Sequence, residues 1–211
     1  MERRELAKGH DICRIIKGGW QLAGGHGPVD RARAIADMRL FFDAGMDTFD
    51  CADIYTGVEE MIGAFIDDLH AGDGSEAASR VCVHTKCVPD EAMLGRLRRV
   101  DIEAIVDRSL ARLRVERLDL VQFHWWNYDV DGYLDAWGYL QELRKVGKIR
   151  HLGITNFDAD ICADCSRPGA IFFRPRCNIP CSTGGPRVSS PKFVGGPESA
   201  FSLMERLPAA F

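Results

Sequence analysis

Apolar and polar positions alternate in blocks along the first three-quarters of the chain. Five apolar, β-rich runs stand out: CRIIKGGWQLA (13–23), MDTFDCAD (46–53), VCVHTK (81–86), LDLVQFH (118–124) and IRHLGITN (149–156). Between them lie stretches with apolar residues every three or four positions, the spacing of one helical face. In VDRARAIADMRLFFDAG these are Ala32, Ile35, Met38 and Phe42, with Gly45 as the C-terminal stop. In VEEMIGAFIDDLHA they are Met61, Ile62, Phe65, Ile66 and Leu69. DIEAIVDRSLARLRV, with Asp101 as its expected N-cap, and DGYLDAWGYLQELRKVGK complete four helices.

Strand–helix alternation predicts parallel strands with helices packed outside them. The strands read as continuous apolar runs, as strands buried on both faces do. Periodicity alone leaves an open doubly wound sheet and a closed eight-stranded barrel as alternatives. No GxGxxG follows the first run, which weakens the dinucleotide-binding open sheet.

The rhythm stops after Phe157. Residues 158–211 hold seven of the nine prolines and four of the eight cysteines. We therefore divide the chain into an α/β part, 1–157, and a Pro/Gly/Cys-rich tail, 158–211, expected to be poorly ordered. Ile171–Phe173 is a short apolar piece within it, but no strand–helix pair continues the pattern. Cys162, Cys165, Cys177 and Cys181 have spacings compatible with a tetrahedral zinc site. Reactive or unpaired thiols are the favoured reading, because the flanking turn-and-strand pattern of a zinc module is missing. Cys13, Cys51, Cys82 and Cys87 stand singly in apolar runs and read as small buried hydrophobes.

Composition narrows the function classes. Hydrophobic content of 46% and charged content of 27% are those of a globular protein. A net charge of −4 argues against nucleic-acid binding, and no apolar run reaches the length needed to span a bilayer. The basic start lacks the apolar core of a secretory signal, so a cytoplasmic location is expected.

Candidate chemistry collects at the ends of three successive runs. Asp50, Lys86 and His124 terminate the second, third and fourth, and Tyr55 follows Asp50 by five positions. In parallel α/β proteins the C-terminal strand ends carry ligands and catalytic groups. A phenol, with a free pKa of about 10, donates protons near neutrality only when a cation beside it favours the phenolate. A carboxylate keeps that cation oriented, and a neutral imidazole can orient a carbonyl oxygen. The set suits carbonyl reduction, with the phenol protonating oxygen as a hydride reaches carbon. Taken singly, each has a plainer role: a turn cap, a rim residue, a paired lysine, a structural histidine. No metal is expected at these residues.

The motifs D-x-A-x-x-Y at 50–55, TKCVP around Lys86, LDLVQFHWW around His124, GITNF at 153–157 and GGWQLAGG at 18–25 together resemble the aldo-keto reductases. The resemblance covers about Cys13 to Phe157. It implies a (β/α)8 TIM-barrel fold, of which about the first five strands and four helices are legible. It also implies an NADP(H)-dependent oxidoreductase interconverting aldehydes or ketones and alcohols. Tyr55 would be the general acid, Lys86 and Asp50 would tune it, and His124 would orient the substrate carbonyl. Gly19 and Trp20 would line the cofactor side, Trp125 the substrate side, and Thr155 and Asn156 would bind the nicotinamide carboxamide. The later cofactor-binding elements have no counterpart after Phe157; Arg167, Arg174, Arg176, Arg187 and Lys192 are basic but lack a strand-to-helix frame. The chain reads as C-terminally truncated, and its inactivity is one expectation. A non-catalytic barrel fragment or interaction protein is the alternative.

Overall fold

The computed structural model describes residues 1–157 and the strand Ala170–Phe172. Its main body is a six-stranded parallel sheet: β3 (Lys17–Gly18), β4 (Thr48–Asp50), β5 (Cys82–Cys87), β6 (Leu118–His124), β7 (Ile149–Thr155) and β8 (Ala170–Phe172), paired in that order. Strand order equals chain order, so each crossover returns to the neighbouring position, as in a barrel wall. An antiparallel hairpin, β1 (Arg3–Ala7) and β2 (His10–Cys13), precedes the sheet.

The crossovers carry α1 (Arg31–Asp43), α2 (Val58–Asp73) with the short α3 (Ser75–Ser79), α4 (Arg99–Leu113) and α5 (Tyr133–Lys145). The α1 N-terminus is capped by Asp30, whose carboxylate accepts the Arg33 N–H at 3.1 Å. Its buried stripe is Ala34, Met38 and Phe42, so the apolar face begins at Ala34 and Ala32 is exposed. In α2 the buried residues include Met61, Ile62, Phe65 and Leu69, as the spacing predicts. Asp101 lies three residues inside α4: Arg98 is the N-cap, and Asp101 accepts the Arg98 N–H at 2.9 Å. Where α2 crosses α4, a Cβ on Gly63 would come within 2.3 Å of the Arg112 carbonyl oxygen. Only glycine lets the two backbones approach this closely.

The sheet has two unlike faces. Phe49, Val83, Cys87, Val121, Phe123, Leu152 and Ile154 pack into one core with the helices. Because side chains alternate along a strand, the residues between them point the other way. That opposite face carries Cys82, His84 and Lys86 on β5, and Leu120, Gln122 and His124 on β6. The hairpin covers its lower end. Arg3 pairs with Asp47 at 2.6 Å, the Cys13 N–H bonds Thr48 Oγ1 at 3.3 Å, and Arg150 bonds the Gly9 carbonyl.

The parallel α/β class holds, with three differences. The run 13–23 contributes only the two-residue β3, and Trp20–Ala23 forms a 3-10 turn. The hairpin was not anticipated; its signal is the Lys8-Gly9 pair between RRELA and HDIC, with Gly9 at φ +72°. Parallel pairing also continues past Phe157, since β8 aligns Ala170 with Leu152. The expectations for the rest of 158–211, including the cysteine spacings and the basic residues, lie outside the described residues. No described helix is long and apolar enough to cross a membrane.

Candidate active site

The upper end of the inner face is built from adjacent strands in register. Lys86 is opposite Gln122, and His124 is opposite Thr155. Lys86 reaches across to β4, where its Nζ donates to Asp50 Oδ2 at 2.8 Å and to the Cys51 carbonyl at 2.7 Å. Gln122 Nε2 donates to the other carboxylate oxygen of Asp50 at 3.1 Å. Both oxygens are therefore engaged, and the carboxylate is fixed in orientation. Lys86 and Asp50 retain 15% and 31% side-chain exposure, so the pair is not sealed from solvent.

Tyr55 approaches the lysine from the loop after β4. The Lys86 Nζ lies 5.1 Å from the centre of its ring, within cation–π range. The loop is held by short bonds: the Tyr55 N–H donates to the Ala52 carbonyl and the Val58 N–H to the Tyr55 carbonyl. A buried network anchors it from the helix side. Asp53 accepts the Val88 N–H at 3.0 Å and pairs with Arg108 at 3.3 Å. Arg112 donates to the Asp53 carbonyl and to Glu59, whose other oxygen accepts the Thr85 hydroxyl at 2.7 Å. Burial pushes the Asp53 carboxyl up to about 6, against the pull of the Val88 N–H and Arg108.

His124 completes the group. It is 8% exposed and packs edge-on against Trp126 at 4.5 Å. Burial, and then the Lys86 charge, hold its imidazole below the usual pKa, which keeps it neutral at pH 7. Its Nδ1 is buried and has no hydrogen-bond partner among the described residues.

Asp50, Tyr55, Lys86 and His124 are thus brought to one end of one face. Thr155 sits beside His124, and Asn156 follows it in the left-handed region at φ +61°, its carbonyl accepting the Tyr128 hydroxyl. Gly19 closes β3 against β4: its N–H donates to the Asp50 carbonyl at 2.8 Å, and a Cβ there would meet that same oxygen at 2.8 Å. Trp20 is 58% exposed and meets His26 edge-on. Trp125 is placed differently from expectation. It is 1% exposed, packs on Phe123 and Tyr133, and donates to the Val130 carbonyl. Alternation is the reason: with His124 facing inward, the next residue points into the core, and Trp126 returns to the site. Gln122 and the Asp53–Arg108–Arg112–Glu59 network were not singled out from sequence. The signal for Gln122 was available, since it lies two positions before His124 on the same strand face.

The structure is an α/β protein with barrel-wall topology that gathers an acid, a lysine and a neutral imidazole at its strand ends, with a phenol in the loop after β4. The chain belongs to the aldo-keto reductase family: the Aldo/keto reductase family model matches residues 14–175. It is 30% identical over 154 residues to an aldo-keto reductase of Mycolicibacterium vanbaalenii, covering 73% of this chain and 50% of that protein. It is 29% identical over 164 residues to the aldo-keto reductase YhdN of Bacillus subtilis, covering 76% and 48%. The chain therefore spans about half the length of the curated relatives it matches. Among solved structures, the thermostable aldo-keto reductase Tm1743, in complex with the inhibitor epalrestat, aligns with a TM-score of 0.65 at 25% identity, covering 78% of this chain and 57% of that one. The Bombyx mori aldo-keto reductase in complex with NADP aligns with a TM-score of 0.66 at 22% identity, over 81% and 56%, a likeness of fold.

Proposed function

We propose that this chain carries the proton-handling site of an NADP(H)-dependent carbonyl reductase acting on small aldehydes or ketones. The observation that carries the reading is Lys86: its ammonium is bonded to Asp50 at 2.8 Å while lying 5.1 Å from the Tyr55 ring centre. A phenol beside an oriented cation brings together an acidic hydrogen and a fixed positive charge, the groups that protonation of a carbonyl oxygen needs. Tyr55 delivers its proton to the carbonyl oxygen, and the Lys86 charge faces the phenolate left behind. His124, neutral and buried, supplies a hydrogen bond to the same oxygen and fixes its direction. Asp50, held by Lys86 and Gln122, keeps the ammonium aimed.

The described residues fit the nicotinamide end of a cofactor. Thr155 and Asn156 present polar groups at a strand end in register with His124, and Gly19 keeps the neighbouring backbone flat. These residues would hold the carboxamide and ring edge. When bound, the dinucleotide supplies the hydride that reduces the carbonyl carbon.

A second reading, a non-catalytic interaction protein, rests on one observation: among the described residues, β3 and β8 are each paired on one side only. Such edges can recruit another strand. Tryptophan fluorescence separates the two readings. Trp20 and Trp126 are exposed near the site, whereas Trp125 and Trp137 are buried. The reductase reading expects saturable quenching by NADPH and NADPH-dependent loss of a test aldehyde; a flat titration with no turnover contradicts it.

A further inference from the structure

Below the Lys86–Asp50 pair, the same strands gather a second set of polar groups that carbonyl reduction does not use. Cys82 and His84 are two positions apart on β5 and share its inner face. His10, the first residue of β2, is brought over them by the hairpin. His10 Nε2 lies 3.0 Å from His84 Nε2, and Cys82 Sγ lies 4.0 Å from His10 Nε2. One donor atom from each of the three residues falls within 4.8 Å of the others. The residues are only 2%, 9% and 1% exposed for His10, Cys82 and His84. A third imidazole, His151, packs at a tilt against His10 with ring centres 4.6 Å apart, and its Nε2 is buried without a hydrogen-bond partner among the described residues.

A shared hydrogen bond between two neutral imidazoles explains the His10–His84 contact. It does not explain a thiol beside the pair, or a third, half-buried imidazole whose Nε2 is buried and unsatisfied among the described residues. Buried polar atoms without partners are rare and call for an occupant. We propose that His10, Cys82 and His84 form a buried structural site for a zinc-class cation, Zn2+ being the best match.

The donor chemistry fits. Two imidazoles and a thiolate make a borderline-soft set suited to zinc. Zinc bonds of about 2.0–2.1 Å to nitrogen and 2.3 Å to sulfur place tetrahedral ligand atoms about 3.3–3.6 Å apart. The His10–His84 nitrogens, now 3.0 Å apart, would open by about 0.3 Å, and the wider ligand pairs would close by at most about 1.2 Å. Burial already keeps both imidazoles neutral, with His10 down at about 4 and His84 at about 3. Burial also pushes the Cys82 thiol far up, so the cation itself must drive its ionisation. Binding releases one proton from Cys82 and leaves a site of net charge +1. Asp47 and Asp119 act on the thiol electrostatically in the sense that offsets that charge, while Arg150 and Arg3 act in the opposite sense. Because His10 belongs to the hairpin and the other two ligands to β5, the ion would pin the hairpin to the sheet.

The test uses the full chain with Cys162, Cys165, Cys177 and Cys181 changed to Ser, which removes the tail thiols as competing ligands. After refolding with CoCl2 alone and desalting, about one equivalent of Co2+ is expected. It should show a thiolate-to-cobalt charge-transfer band, and X-ray absorption should show a first shell of one sulfur with imidazole nitrogens. Cys82→Ser should abolish the band, and His84→Gln should abolish retention. No retained cobalt, a shell without sulfur or without imidazole, or a band that survives Cys82→Ser would overturn the proposal. The shell is read on the unsubstituted site, so it decides the matter even if a site variant fails to fold. Saturating ZnCl2 should also raise the Tm of the same protein by several degrees; no shift counts against the site.

Discussion

The two ends of one sheet face use similar residues to opposite effect. At the upper end, Lys86 and Asp50 form an ion pair at 2.8 Å with side chains 15% and 31% exposed. At the lower end, on the same β5 strand two residues earlier, His84 meets His10 at 3.0 Å in a nearly solvent-free setting. The upper set is open because it lies at the C-terminal strand ends, where only loops cover it. The lower set is closed because the hairpin lies over it. Position along a strand therefore sets the environment: a partly exposed ion pair above, neutral buried imidazoles and a thiol below.

The sharpest way to break the contrast is to remove the upper charge. Lys86→Met takes away the cation facing Tyr55 and leaves Asp50 with Gln122 alone. Carbonyl reduction by NADPH should fall roughly 10²–10³-fold, with the NADPH quenching curve retained. A variant within a few-fold of the parent would place the proton donor elsewhere.

Asp53 asks whether burial or strand end sets ionisation, because it is at the upper end yet buried. Its carboxyl is raised from 3.8 to about 6, with burial the main cause. A folded value above the unfolded one means that the protonated acid favours folding. That contribution is complete below the unfolded pKa of 3.8 and is lost as pH rises through about 6. Urea unfolding of parent and Asp53→Asn across this window should diverge by about 3 kcal/mol, the parent losing ground as pH rises. Parallel curves would show that Arg108 fully offsets the burial.

The smallest effect is expected below. In chelator-treated protein, His10→Phe or His84→Leu alone should cost about 1–2 kcal/mol, because each removes the bond between the two rings and leaves a partner buried. The double variant should cost less than the sum of the two, by about 1 kcal/mol, as interacting pairs do. Strict additivity in denaturant titrations would mean that the rings do not share a hydrogen bond.

What was legible in the sequence follows the same geometry. Asp50, Tyr55, Lys86 and His124 were readable because residue type and strand-end position coincide in one linear pattern. Gln122 shares the strand face of His124, two positions earlier, but its bond to Asp50 follows only from the register that places it opposite Lys86. Trp125 was expected on the site side, where Trp126 packs against His124 instead, because adjacent residues leaving a strand differ only in parity. The hairpin escaped because its strands are short and largely polar outside, and with it went the meeting of His10 with Cys82 and His84, more than seventy positions away. β8 was obscured by the proline-rich composition around it. Local chemistry at strand ends survives reading in one dimension; contacts made by register or by a covering hairpin do not.

The central claim is that Tyr55 is the proton donor of the upper site. It is tested most directly by the single-turnover rate of aldehyde reduction at saturating NADPH in the parent and in Tyr55→Phe. Loss of roughly 10³-fold or more in rate, with NADPH-induced tryptophan quenching unchanged, is the predicted result. Equal rates in the two proteins would contradict it.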